Sequence, residues 1–174
     1  MSESESDQTE MLPDDVLWAL QRADGFMDMK MWDRAAHEMK GVDESHRRSM
    51  PFLQLELRYG MESGEWETAR RCAASLQERD PCKPEYWVHL AYATRRVQDI
   101  PSAELILQEA HARFPSVGLI PYNLACYACC QGELDEANNY LRKAFAIDRT
   151  FAELAQEDVD LKPLWDRLDE LMDL

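Results

Sequence analysis

Alanine recurs at positions 35, 69, 103 and 137, in equal steps of 34 residues. The same step carries Ala23, Leu57, Ala91 and Ala125, and Met39, Ala73, Leu107 and Leu141. It also carries Val42, Leu76, Ala110 and Ala144, and the bulkier set Trp32, Trp66, Ile100 and Leu134. Five apolar columns hold register without a gap. A period of this size marks one supersecondary unit that cannot bury its apolar face alone and so stacks on its neighbours. Within a unit the spacing is helical: Val16, Leu20, Ala23 and Met27 fall on one face of a 3.6-residue period. A turn column follows each first helix, Lys30, Gly64, Gln98 and Gly132, and a closing column holds Arg47, Pro81, Pro115 and Arg149. Four units result, 16–49, 50–83, 84–117 and 118–151.

The third unit is the most regular. It reads Trp87, Leu90 and Ala91, then Ala103, Leu107 and Ala110, then Pro115. This W-x2-L-A, A-x3-L-x2-A, P pattern resembles a tetratricopeptide repeat (TPR), a helix-turn-helix unit with a 34-residue period. Ala91 stands where the family usually has Gly, and Thr94 where it usually has Tyr. The resemblance covers about residues 16–165 and implies an all-α fold: a TPR α-solenoid of four helix-turn-helix repeats with a C-terminal capping helix. In the second unit Glu56 occupies the column held by Leu90 and Leu124, which leaves the facing of that helix open. Trp32, Trp66 and Trp87 are read as core residues.

Residues 1–12 are polar and without apolar period, and are expected to be a disordered acidic N-terminus. Residues 13–151 hold the four repeats, and 152–174 the capping helices. Thr150 and Glu153 have the spacing of a capping box, and Asp160 with Pro163 is expected to open a last helix. Leu161, Leu164, Trp165, Leu168, Leu171 and Met172 form its stripe. The run from Asn123 to Trp165 is similar to the closing repeat and cap of bacterial TPR proteins.

The formal net charge is −15. Residues 1–15 hold six acids and no base, and residues 152–174 hold eight acids and two bases, so the repeats themselves carry only −3. A basic surface for nucleic acid or anionic lipid is lacking. No stretch reaches the roughly 18 consecutive apolar residues of a membrane span. Five cysteines without an apolar leader point to a reducing compartment and a cytoplasmic setting. A monomer is the simplest expectation.

No catalytic or phosphate-binding motif appears, and neither an enzyme activity nor a cofactor is expected. Cys126, Cys129 and Cys130 lie at i, i+3 and i+4. Three thiols on one face suit a soft metal or redox chemistry. None of His37, His46, His89 and His111 completes a ligand set, so packing is the preferred reading and no metal is assigned.

The TPR resemblance places ligand contacts at the second, fifth, ninth, twelfth and thirteenth positions of each repeat. Here these columns supply Asp24 and Met27, then Gln54, Arg58 and Met61, then Val88, Tyr92, Arg95 and Arg96, and finally Leu119, Tyr122 and Cys126. No Lys stands in them, which opposes the clamping of a chaperone tail. A ligand with an acidic residue at Arg95 and Arg96 and an apolar anchor on Tyr92 and Tyr122 is expected. The function implied is a non-enzymatic protein–protein interaction module, an adaptor or chaperone holding a partner peptide or helix in a concave groove. A secretion-type chaperone and a thiol-dependent function at the cysteine cluster are the alternatives.

Overall fold

The computed structural model describes residues 11–168. Helices pair along the chain: α1 (Asp14–Asp28) with α2 (Trp32–Gly41), and α3 (Met50–Ser63) with α4 (Trp66–Arg79). Next come α5 (Pro84–Val97) with α6 (Ile100–Arg113), and α7 (Leu119–Gln131) with α8 (Leu134–Ile147). A short α9 (Thr150–Glu157) and a 3₁₀ segment (Val159–Arg167) follow. No strand occurs among the described residues, and the fold is all-α, built of helix-turn-helix repeats.

The 34-residue period in sequence is a 34-residue period in burial. Ala35, Ala69, Ala103 and Ala137 are all fully buried, as are Ala23, Ala91 and Ala125 in the neighbouring column. A methyl group is the largest side chain that lets two helix backbones approach closely. At Gly60 even a methyl is too large: an added Cβ would lie 2.6 Å from the backbone nitrogen of Ala69. The fifth column behaves differently. Trp32, Trp66, Ile100 and Leu134 are half-buried, while Trp87 is buried. Trp32 stands edge-on to Tyr59, with ring centroids 6.3 Å apart.

The turn column explains its own residues. Lys30, Gly64 and Gly132 have φ of 56°, 84° and 83°, the left-handed conformation that ends a helix. Gln98 departs from the series, with φ −119° and ψ −95°. The second helix of that repeat is instead started by Asp99, whose carboxylate accepts from the Ser102 N–H at 2.7 Å. Prolines sit where a missing N–H does no harm, in the first turns of α3, α5 and α6.

The chain divides into two compact units at Leu76 and Gln77. In the first, Val16, Ala19, Leu20 and Ala23 of α1 pack with Met39, Val42 and Phe52. Leu12 joins this cluster at 8 % exposure. Expected within a disordered segment, it is instead a core residue, because its side chain packs in the cluster with Val16 and Leu20 of α1. The rest of that segment, residues 1–10, lies outside the described residues. Glu56 is kept half-exposed and turned toward α4, where it meets Arg71 at 3.2 Å and accepts from the Cys72 thiol at 3.1 Å. Leu53 and Leu57 fill the core beside it.

In the second unit Trp87, Leu107, Ile120, Leu124 and Leu141 form one cluster with Leu161, Leu164 and Leu168. Two expectations for the C-terminal end are corrected. The capping box does not form: Thr150 is the first residue of α9 and not its N-cap, and Asp148 accepts from both the Thr150 N–H (2.9 Å) and its hydroxyl (2.8 Å). Over Val159–Arg167, where an α-helix was expected from Asp160 on, the described chain is a 3₁₀ segment begun by Asp158, whose carboxylate accepts from the Asp160 N–H at 3.0 Å, with Pro163 inside it. Trp165 is exposed, while Leu161, Leu164 and Leu168 are buried. Leu171 and Met172 lie outside the described residues.

Candidate functional site

In the first unit, residues two, five and nine of successive repeats come side by side. Leu17, Leu20 and Asp24 of α1 face Pro51, Gln54, Leu55 and Arg58 of α3 across an open cleft of about 420 Å³. Leu17 is 41 % exposed at its rim. At the second and fifth positions Pro51 and Gln54 line it together with Leu17 and Leu20. One end is electrostatic. The Arg58 guanidinium binds Asp24, Asp28 at 2.6 Å and Glu62 at 2.7 Å. These bonds, Asp28 first and then Glu62, push the guanidinium pKa up, so it stays charged at any working pH. Met61 is half-buried beside this network. Met27, assigned to the same surface by the sequence, is only 1 % exposed. It faces the core, because the twelfth position of this helix falls on the apolar stripe with Ala23 and Leu20.

The second unit treats the equivalent columns differently: its own C-terminal segment lies on them. Arg95 of α5 bonds both oxygens of Asp160, the second at 3.0 Å. The guanidinium also lies 5.3 Å from the centroid of the Tyr127 ring. Tyr122 of α7 donates its hydroxyl to Asp158 at 2.9 Å and stacks on Phe151 with centroids 5.2 Å apart. It is only 6 % exposed, and Cys126 is 3 % exposed. The expected ligand carboxylate at Arg95 and aromatic anchor at Tyr122 are therefore contacts that the chain makes with itself. Arg96 donates to the Tyr92 hydroxyl at 2.8 Å and lies over that ring. Val88 packs against the core cluster, and Leu119 is exposed at the start of α7. The run Asp158-Val159-Asp160-Leu161 is legible in the sequence as part of the cap, but its pairing with Arg95 and Tyr122 is not. Two acids flanking a short apolar step, before a buried Leu, suit a segment that caps its own chain through Arg95.

The three cysteines do not form one ligand set among the described residues, although Cys130 Sγ accepts from Arg95 at 3.5 Å, beside the same Asp160 that Cys126 approaches. Cys126 Sγ lies with Asp158 and Asp160, their ligand atoms within 4.8 Å of one another. Arg95 already sits on Asp160, so a cation there would have to displace a guanidinium. Burial, and then the Asp158 charge, raise the Cys126 thiol pKa far above its usual range, and burial raises those of Cys129 and Cys130 too. A thiol that resists ionisation is a poor nucleophile. All five cysteines are free.

These features define a class: a TPR-like helical-repeat protein in which the first helices of the repeats, the A helices α1, α3, α5 and α7, form an open cleft in the first unit and a chain-covered face in the second. Among solved structures, the chain is similar to two described as crystal structures of MamA. One aligns with TM-score 0.73 at 18 % identity over 93 % of this chain and 90 % of that chain. The other aligns with TM-score 0.68 at 20 % identity over 87 % and 90 %. At this identity the likeness shows the fold. No protein-family model and no curated protein matches the sequence. No helix among the described residues is long and apolar enough to cross a membrane.

Proposed function

We propose that this chain is a TPR-type, non-enzymatic interaction scaffold that takes a peptide or helix of a partner protein on the A-helix face of its first two repeats, in the cleft between α1 and α3. The observation that carries this reading is the cleft itself: an apolar floor, open to solvent, lined by the second, fifth and ninth positions of two adjacent repeats. Short helical repeats commonly present such faces to extended or helical ligands. Arg95, Tyr122 and Cys126, with their contacts made within the chain, serve to hold the C-terminal segment. The five free thiols and the acidic composition fit a soluble, cytoplasmic setting. Capture from native lysate tests the reading. A partner recovered with the full chain should be lost with Leu17→Arg, which puts a charge at the cleft rim. It should be retained with Arg142→Glu on the exposed face of α8. Equal recovery by both variants contradicts the proposal.

A further inference from the structure

The charge of the cleft selects its occupant. Helix α1 carries four acids and one base, and α3 carries two acids and one base, a formal −4 between them. Two of these charges are spent on other helices: Arg22 pairs with Glu38 of α2, and Glu56 with Arg71 of α4. Arg58, the one remaining base on the two helices, is enclosed by Asp24, Asp28 and Glu62. Three carboxylates around one guanidinium leave two negative charges in excess at the end of an apolar floor. Asp14 and Asp15 add two more at the start of α1. A ligand carboxylate would meet Arg58 already saturated and its neighbours repulsive. A ligand cation would meet oxygens that are half-exposed and have unused lone pairs.

We propose that the cleft between α1 and α3 takes a basic amphipathic segment of another protein, its apolar side chains on Leu17, Leu20 and Leu55 and a Lys or Arg toward Asp24, Asp28 and Glu62. This rests on the reading of the cleft as the binding face and adds the partner's chemistry to it. The chain's own C-terminal segment illustrates the opposite sign. Asp158 and Asp160 dock against Arg95 and Tyr122 in the second unit, where the A-helix face offers a cation. Each unit's A-helix face thus has its own charge preference, set by the ninth, twelfth and thirteenth columns. Arg95 occupies a position that Met27 and Met61 hold in the first two repeats. Complementary charge of this kind raises the association rate and makes it fall with salt, while the apolar contacts set residence time.

The test uses the full chain and two synthetic peptides of about 18 residues with the same Leu face at i, i+3, i+4 and i+7, one with Lys and one with Glu on the other positions. Fluorescence anisotropy of the labelled peptides reads affinity, and circular dichroism confirms that each variant is folded. The Lys peptide is expected to bind, the Glu peptide at least about ten-fold more weakly, with the Lys affinity falling as salt rises. Asp28→Lys with Glu62→Lys should cut Lys-peptide affinity about ten-fold and improve that of the Glu peptide. Leu17→Arg should weaken both peptides. Preference for the Glu peptide, still sensitive to Leu17→Arg, would overturn the charge assignment and leave the cleft as the site. Lys-peptide binding untouched by Leu17→Arg would place it elsewhere on the acidic surface and overturn both readings. A concentration-dependent dimer abolished by Leu17→Arg would make a second copy the occupant, and would overturn the basic partner.

Discussion

At Lys30 the backbone adopts φ 56°, a left-handed conformation that costs a side chain bearing Cβ about 1–2 kcal/mol. Gly64 and Gly132 hold the equivalent turns without that cost. Lys30→Gly is therefore expected to stabilise the protein by about 0.5 kcal/mol, after the extra unfolded-state freedom of Gly is deducted. Gly60→Ala should do the reverse and destabilise by about 1–3 kcal/mol, because its Cβ would strike the Ala69 backbone, which cannot rotate away. Chemical denaturation of both variants checks these signs. Asp160 adds a pH dependence. Its hydrogen bonds from Arg95 hold its carboxyl below the ordinary value of 3.8. The unfolded chain then binds the proton more readily, so this stabilisation is complete above the unfolded pKa and is lost as pH falls through the lower, folded value. Asp160→Asn should lower the melting temperature at neutral pH and flatten its fall in acid. Asp160 also shows where the sequence was silent. Its place near the start of the last element was readable, though Asp158 and not Asp160 begins it; its partner, Arg95, lies 65 residues away, and no local pattern encodes that pairing.

At the scale of elements, helix pairs were legible and their terminations less so. The apolar columns set each helix and its buried face, because every 34-residue step returns a side chain to an equivalent environment. Capping chemistry is decided by competition among neighbouring polar groups. Thr150 and Glu153 had the right spacing, but the helix begins at Thr150 itself, behind a turn in which Asp148 accepts from the Thr150 N–H and hydroxyl. Pro163 after Asp158 and Asp160 was compatible with either helix type, and the 3₁₀ segment that forms buries Leu161 and Leu164, one turn apart. That segment is a working part of the second unit. Removing residues 152–174 should bare Tyr122, Cys126 and the apolar cluster around Leu124, lower the melting temperature and cause self-association visible by light scattering. A truncated chain that stays monomeric and equally stable would assign the burial of α7 to some other element.

At the scale of the whole molecule, the repeat period made the fold class readable, because it is a statement about stacking and needs no single contact. The site was readable in part. The second, fifth and ninth columns lead to the cleft of the first unit, with Asp24, Gln54 and Arg58 on its lining. The same columns in the second unit lead to side chains that the chain itself has taken. Column position states which face a residue shares, while occupancy depends on a distant segment. The central claim is that the partner is held between α1 and α3. Hydrogen exchange of the full chain with and without the Leu/Lys peptide measures this directly. Slowed exchange confined to peptides from Asp14–Asp28 and Met50–Ser63 is the predicted result. Slowed exchange in Pro84–Val97 and Leu119–Gln131, with α1 and α3 unchanged, would contradict it.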